Sequence, residues 1–248
     1  MKKLFIIPFL GLALACGGGG GSTPAGPSTP SVFEGPWIGS MHSNSGSSVT
    51  AEALILANGQ VRYVGSNGIQ GAGAVSGTAS AMQSSGTLFA PTGYEFTTGL
   101  TTSTFSLTGS GTSGVSLSGT YSAAGDTGTF TFSYDAAADY AIPVVMANVA
   151  GAYQSTTTSS GYSTQGRLSS TGVFTGSDTY GGTFTGTLTA VDPAKNAFTV
   201  AVTYSAPGIP ATAYRGLAFF EFGGNTMLNI QASASTNEFA GGFVRTGP

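Results

Sequence analysis

Thr129-Phe130-Thr131-Phe132-Ser133-Tyr134 is the stretch that decides the fold, because every second residue in it is aromatic. A period of two is typical of a β-strand with one buried face and one wet face. The same alternation recurs in 115–121, 184–188 and 197–204, where Ser, Thr or Ala occupies most of the intervening positions. The pattern therefore predicts antiparallel strands.

Short turn sequences separate these strands. Consecutive strands joined by short turns usually pair with each other, so an up-and-down connection is the simplest topology. The turns that favour tight hairpins are Asn58-Gly59, Asn67-Gly68, Ala124-Gly125-Asp126, 192–196 and Gly223-Gly224-Asn225.

The chain also contains an internal repeat. Gly35-Pro36-Trp37 is matched by Gly151-Ala152-Tyr153, the segment 73–78 by 182–187, and the turn at Gly59 by one at Gly172, with offsets of 109 to 116 residues. These matches predict two tandem β modules of about eight short strands each.

An all-β fold follows, with two tandem antiparallel meanders. Eight such strands tend to close into an up-and-down barrel, which removes exposed edges. β-Sandwiches are the main alternative, and barrels that span a membrane are a third, although many strands are shorter than the about 9–11 residues that spanning requires. The expected divisions are a signal peptide at 1–15, a tether at 16–32, module 1 at 33–140, a short and partly helical linker at 141–150, and module 2 at 151–248.

The N-terminus carries an export signal. Met1-Lys2-Lys3 is followed by an apolar run over 4–14, by Ala15, and by the only cysteine of the chain, Cys16. A basic start, a short apolar run and a small residue are typical of a secretory signal peptide. Because a cysteine follows directly, the segment resembles a bacterial lipoprotein signal, which implies that Cys16 is acylated and becomes the mature N-terminus. An ordinary signal peptide with an incidental cysteine is the alternative.

Residues 17–30 contain only Gly, Ser, Thr, Pro and Ala. They cannot bury apolar surface, so we expect a disordered tether that connects a folded body to a membrane. Residue 17 is glycine rather than aspartate, which by the same resemblance favours the outer membrane of a Gram-negative cell. The choice between periplasmic and surface leaflet stays open.

The net charge and the cysteine content of the chain argue against several kinds of partner and site. Loss of Lys2 and Lys3 with the signal leaves five basic side chains against ten acidic ones, a net charge of −5. Nucleic acid is an unlikely partner, because phosphate binding requires clustered Lys and Arg. A single, lipidated cysteine provides no disulfide and no thiolate metal site. We expect no metal and no cofactor.

Two family resemblances concern the barrels. Gly35-Pro36-Trp37 resembles the G-x-W opening of lipocalin-type (calycin) barrels, whose last strand places an arginine on the tryptophan. In module 2 the corresponding residues are Tyr153 and Arg245, so the resemblance implies a cation–π contact between them and makes Trp37, Tyr153 and Arg245 the candidate binding residues. The chain also resembles proteobacterial lipoproteins with a Cys-Gly-rich tether and tandem β modules, and 237–243 is similar to the last strand of transferrin-binding-protein-B-like surface lipoproteins.

Catalytic motifs are not found. His42 is the only histidine, no serine lies in Gly-x-Ser-x-Gly, and the sequence contains no zinc motif of the His-Glu-x-x-His type. The carboxylates are scattered, so a glycosidase pair has little support. Glu52 and Arg62 flank the Asn58-Gly59 turn, which suggests a diagonal surface ion pair. We expect no enzyme.

Three hypotheses for function remain. The first is a lipid-anchored outer-membrane protein that binds or displays without catalysis, contacting a protein or glycan through end loops and the cleft between modules. The second is a carrier of a small apolar ligand in a barrel lumen, since Gly119, Gly186 and Ala74 at alternating positions would leave space there. The third, an envelope polysaccharide hydrolase, has the least support.

Overall fold

The computed structural model of this chain describes residues 31–91, 93–155, 163–222, 226–235 and 238–248. In these ranges the chain forms sixteen strands, one 3₁₀ turn at Ala136–Ala138 and one short helix, α1, at Met146–Val149. The strands of the first half are β1 (Gly35–Ser43), β2 (Ser48–Ile55), β3 (Gln60–Gly65), β4 (Gln70–Thr78), β5 (Ala81–Phe89), β6 (Thr102–Thr112), β7 (Ser116–Ala123) and β8 (Asp126–Tyr134). Those of the second half are β9 (Gly151–Ser155), β10 (Thr164–Leu168), β11 (Val173–Asp178), β12 (Thr183–Ala190), β13 (Phe198–Ala206), β14 (Ile209–Glu221), β15 (Met227–Ser233) and β16 (Glu238–Gly247).

Each half closes into an antiparallel barrel of eight strands in up-and-down order. In the first barrel β1 pairs with both β2 and β8, so that Trp37 lies between Ala53 and Tyr134. In the second barrel β9 pairs with both β10 and β16, which places Tyr153 between Gly166 and Arg245. Closure leaves no free sheet edge. The prediction of two tandem eight-stranded barrels is therefore confirmed, and the sandwich alternative is wrong.

The alternation of the sequence separates the inside of each barrel from the outside. In β8, Phe130 and Phe132 are buried in the barrel while Thr129, Thr131 and Ser133 are exposed. Because successive side chains of a strand point to opposite faces, the apolar residues fill the interior and Ser and Thr cover the surface.

The two barrels repeat with a clear register. Gly59 and Gly172, with φ of +82° and +83°, occupy the β2–β3 and β10–β11 turns, and their carbonyl oxygens accept from the backbone N–H groups of Val75 and Leu188. When the two turn glycines are aligned, Gly73 of the first barrel is equivalent to Gly186 of the second. The expected match of 73–78 with 182–187 is therefore wrong by four residues, because recurrent Gly-Thr pairs align equally well in several sequence registers.

The barrels contact each other through β2 and β14. Four outward-facing apolar residues are buried here: Leu54 on β2 and Leu56 just after it meet Leu217 and Phe219 on β14, in a cluster that also contains Tyr140. Each large side chain removed from water in this way contributes about 1.5–3 kcal/mol. The two modules thus form one packed unit rather than two independent bodies.

Polar contacts fix the linker against both barrels. Asn196 is fully buried; its Nδ2 donates to the carbonyl oxygens of Ala138 (3.1 Å) and Phe220 (2.5 Å), and its Oδ1 accepts from the Phe220 N–H (2.9 Å). Tyr140 donates to Glu34 Oε1 at 2.8 Å, and Lys195 lies 4.0 Å from the same oxygen. The segment between the barrels is therefore held at several points.

The predicted signal peptide, Cys16 and most of the tether lie outside the described residues, as does the Gly223-Gly224-Asn225 turn. In the part of the chain that is described, no helix is both long and apolar enough to cross a membrane.

Candidate functional site

A cavity of about 230 Å³ lies in the lumen of the first barrel, at the end where β1 leads into β2. The opposite end of the lumen is filled by Phe33, Trp37, Phe130 and Phe132, all of them buried. The cavity is lined mainly by inward-facing apolar side chains, which are Met41, Val49, Ala51, Tyr63, Ile69, Leu88, Phe105, Leu107, Tyr121 and Ala123. It is an apolar pocket with one closed end, as small-molecule sites usually are.

Glycines occupy two positions at this end of the first barrel where the second barrel has phenylalanine. Gly71 lines the cavity, whereas Gly128 lies against the backbone carbonyl of His42 and does not line it. Gly71 and Phe184 are equivalent, since each lies 12 residues after its turn glycine, and Gly128 and Phe239 are equivalent, since each lies six residues before the register partner of Trp37 or Tyr153. In the second barrel Phe184 packs on Phe239 with ring centroids 5.6 Å apart. The second lumen is thus filled by aromatic rings at positions where the first has glycine.

The connection from β5 to β6, described at 90–91 and 93–101, lies at the open end. Phe96 contributes to the lining of the cavity. The loop reaches both neighbouring turns, because Pro91 lies against Gly68 and the Thr97 hydroxyl donates to the Ala124 carbonyl at 3.3 Å. The corresponding β13–β14 connection in the second barrel is a tight turn at Pro207-Gly208. Of these two connections, the one in the first barrel is the longer and the one that reaches the lumen.

A few polar groups lie inside this apolar site. Tyr63 shares a hydrogen bond with Ser84 (2.8 Å), and burial raises the Tyr63 pKa to about 12. Tyr121 donates to Asp126 Oδ2 at 2.8 Å; burial, followed by this bond, raises the Tyr121 pKa to about 12. The hydrogen bond from Ser43 is the main cause that lowers the Asp126 pKa. The phenols therefore stay neutral, and the single carboxylate at the rim is already hydrogen-bonded.

A second cavity, of about 490 Å³, lies between the barrels. Its walls come from β3 and β4 of the first barrel and from β12, β13 and β14 of the second. They include the side chains of Gln60, Arg62, Thr187, Thr189, Thr199, Arg215 and Leu217. This inter-barrel cleft is polar, in contrast to the lumen.

The candidate binding residues from the sequence lie away from both cavities. Trp37 and Tyr153 are each only 1 % exposed, at the filled ends of their barrels. The indole N–H of Trp37 donates to the Phe33 carbonyl (2.8 Å), and the Tyr153 hydroxyl donates to that of Val149 (2.6 Å), four residues earlier in both cases. These side chains fill the closed ends of the two barrels, and the same hydrogen bond recurs at the equivalent position of each repeat.

Arg245 has a role different from the cation–π contact that the resemblance implies. Its strand partner is Tyr153, but its guanidinium donates to the carbonyl oxygens of Asn148 (3.1 Å) and Ala150 (2.5 Å) at the end of α1. Among the described side chains, the cation–π geometry is found for Lys195, 5.3 Å from the ring centroid of Tyr140. In the first barrel Tyr134 takes the place of Arg245 and packs edge-on against Trp37.

The titratable residues do not form a catalytic group in the described part of the chain. His42 is exposed near the end of β1 and shares a 3.0 Å hydrogen bond with Ser40. No group of three His, Cys, Asp or Glu side chains in the described ranges could hold a metal ion. The expected Glu52–Arg62 pair is wrong: the register places Arg62 beside Leu54, and its guanidinium donates across the cleft to the second barrel.

Carboxylates do approach each other at the barrel interface. Burial, then the charges of Glu52 and Asp135, raise the pKa of Glu221, while its hydrogen bond from Asn229 opposes this. Burial and the charge of Asp135 raise the Glu52 pKa. One flank of the interface is therefore acidic, while the cleft on another flank contains arginines.

Sequence reasoning missed the residues that line the lumen. The three positions that it associated with an open lumen do not line the cavity: Ala74 faces solvent, while Gly119 and Gly186 permit close approach of neighbouring strands. Two sequence signals were available, namely glycine at 71 and 128 where the second module has phenylalanine, and the long β5–β6 connection.

The fold and the cavity together define a class of protein: a tandem β-barrel protein with an apolar pocket in the lumen of its first barrel. Comparison with protein-family models, with curated proteins and with solved structures yields no match to this chain.

Proposed function

We propose that this protein is a lipid-anchored envelope protein that binds one small apolar molecule in the lumen of its first barrel. The observation that carries the proposal is the contrast between two barrels of one repeat. Gly71 lines the first lumen at the position where Phe184 fills the second, and Phe96 from the β5–β6 connection adds to the lining of the first. A cavity that served only for folding would be expected to fill, because cavities in apolar cores are destabilising.

The size of the cavity limits the ligand. An apolar cavity of about 150 Å³ holds a benzene ring, so 230 Å³ suits a molecule of one or two rings or a short branched chain. Drug-sized ligands usually occupy pockets of about 300–1,000 Å³. The hydroxyls of Tyr63 and Tyr121 at the wall provide hydrogen-bonding groups for a polar substituent.

The location is proposed from the sequence. Acylation at Cys16 would attach the protein to the outer membrane, and the tether would hold the barrels away from it. In this proposal the protein carries or retains its ligand and catalyses no reaction. Cys16→Ala should release the protein into the soluble fraction and remove metabolic palmitate labelling. Retention of the variant in membranes would contradict the anchor.

Ligand binding is tested with the mature chain, residues 16–248, carrying Cys16→Ala and produced without acyl chains. Native mass spectrometry of protein purified from its own cells should show one bound molecule per chain. Titration with indole and naphthalene should shift NMR resonances of Phe96, Phe105 and Tyr121.

A matched pair of substitutions localises the site. Ala123 lines the cavity and Ala74 faces solvent in the same barrel. Ala123→Leu should fill the lumen and weaken probe binding at least about tenfold, whereas Ala74→Leu should leave it unchanged. Equal binding by both variants, or a chain that neither retains cargo nor binds either probe, would refute the carrier function.

A further inference from the structure

Positive charge is concentrated in the inter-barrel cleft. Two of the five basic side chains of the mature sequence, Arg62 and Arg215, line this cleft, and its described lining residues include no Asp or Glu. The protein as a whole is acidic, so the cleft is a local exception to the charge of the molecule. A concave surface with charge of one sign raises the local concentration of oppositely charged molecules.

Arg62 is held in place by neutral partners. Its Nη1 donates to Ser233 Oγ at 2.7 Å and its Nη2 donates to the Arg215 carbonyl oxygen at 2.9 Å. The side chain is half-buried, and this burial lowers its pKa. Both of these hydrogen bonds are to uncharged groups, a hydroxyl and a backbone carbonyl. A guanidinium has five N–H groups, which leaves donors of Arg62 available to a ligand.

Hydroxyl groups line the floor of the cleft beside the second arginine. Thr187, Ala201 and Arg215 lie side by side across β12, β13 and β14. Thr189, Thr199 and Leu217 form the next row. The three threonines are exposed. A threonine hydroxyl can both donate and accept, and that of Thr199, which donates to the Thr189 carbonyl at 3.3 Å, can still accept. Leu217 adds an apolar edge to this polar floor.

We propose that the inter-barrel cleft binds a small hydroxylated oxyanion, such as a sugar acid or a sugar phosphate. Arg62 and Arg215 hold the carboxylate or phosphate, because a guanidinium matches the geometry of both groups and forms charge-assisted hydrogen bonds. The threonine hydroxyls hydrogen-bond the hydroxyl groups of the ligand. The site requires both barrels in their packed arrangement. It is separate from the apolar lumen and does not rest on the function proposed for that lumen.

The probes are glucose 1-phosphate, glucuronate, inorganic phosphate and glucose, titrated calorimetrically into the mature chain carrying Cys16→Ala. Glucose 1-phosphate or glucuronate should bind at least about tenfold more tightly than either glucose or inorganic phosphate. Affinity should fall as NaCl is raised, since salt screens the arginine charges. Equal affinity for inorganic phosphate and both sugar derivatives would overturn the role of the hydroxyl groups, and no binding of any anion would overturn the site.

Variants of the two arginines test which groups hold the anion. Arg215→Gln should weaken binding about tenfold with little loss of stability, because the Arg215 side chain is exposed. Arg62→Gln should weaken it at least as much. Arg167→Gln is the matched control, an exposed arginine on the outer face of the second barrel and outside the cleft. Unchanged affinity in Arg215→Gln, or an equal loss in Arg167→Gln, would overturn the assignment.

Two further variants separate this site from other effects. Gln60→Ala, at the first-barrel wall of the cleft, should weaken binding less than either arginine variant, because Gln60 carries no charge. Ala123→Leu, which fills the apolar lumen, should leave anion binding intact. Loss of anion binding in that variant would show that a single site had been measured, and would refute the separate cleft site.

Discussion

Replacing Asn196 by alanine should destabilise the protein more than any exposed substitution. The asparagine is fully buried, and its side chain satisfies the Ala138 carbonyl and both the N–H and the carbonyl of Phe220. Alanine leaves these three groups buried without a partner, and each such group costs about 1–3 kcal/mol. We therefore expect the free energy of unfolding to fall by about 3–5 kcal/mol, and the melting temperature by about 10 °C.

The loss in free energy of unfolding can be measured by urea unfolding, followed both by tryptophan fluorescence and by circular dichroism. Trp37, the only tryptophan, reports the first barrel, and far-UV circular dichroism reports both. Because Asn196 also ties the linker to the second barrel, its loss should move the two transitions apart. Asn58→Ala is the matched control: Asn58 is an exposed turn residue whose Oδ1 accepts from the Gln60 N–H at 3.0 Å, and its loss should cost about 0.5–1 kcal/mol. Equal costs for the two variants would refute the reasoning.

Three further substitutions have defined outcomes. Gln231→Met should leave stability unchanged or raise it by about 1 kcal/mol in thermal unfolding, because the buried Gln231 Oε1 has no partner in the described structure; a loss above about 1 kcal/mol would show that this oxygen is bound. Tyr153→Phe should cost about 1–2 kcal/mol in urea unfolding, since the Val149 carbonyl loses its donor, and no change would mean that the hydroxyl is dispensable. Glu52 has a raised pKa in the folded state, so the folded state binds protons more tightly and stability falls as pH rises through the window above 4.5. Glu52→Gln should flatten this slope and add about 0.5 kcal/mol at pH 7, a small value because the carboxylate, although partly desolvated by the second barrel, still contacts solvent; an unchanged pH profile of the melting temperature would refute it.

The interior of the barrels could be predicted from the sequence in detail. Phe130, Phe132, Phe198 and Val200 are buried as their alternation indicates, and the turns at Gly59 and Gly68 join the expected strands. The candidate site could not be predicted in the same way. Tyr63, Phe96 and Tyr121 come from three separate parts of the chain and meet only because β3, the β5–β6 loop and β7 surround one lumen.

The local alternation of apolar and polar residues also could not predict the contacts between the barrels. Leu54 and Leu217 occupy outward-facing positions, where alternation alone predicts solvent, yet both are buried against the opposite barrel. Arg62 has Glu52 ten residues before it in sequence, but its guanidinium bonds to Ser233 and Arg215 of the other module. The spacing of two residues within one module does not predict contacts with residues of the other module.

The sequence by itself determined the strands, their order and the side of each strand that is buried, because side-chain alternation and turn chemistry are local properties of the chain. It also carries the whole argument for export and lipid attachment through Cys16. Tertiary structure alone decided which lumen is open and where the arginines meet. A cavity depends on the summed volume of eight strands at one cross-section, and a cleft depends on how two barrels pack; neither quantity is present in any single segment.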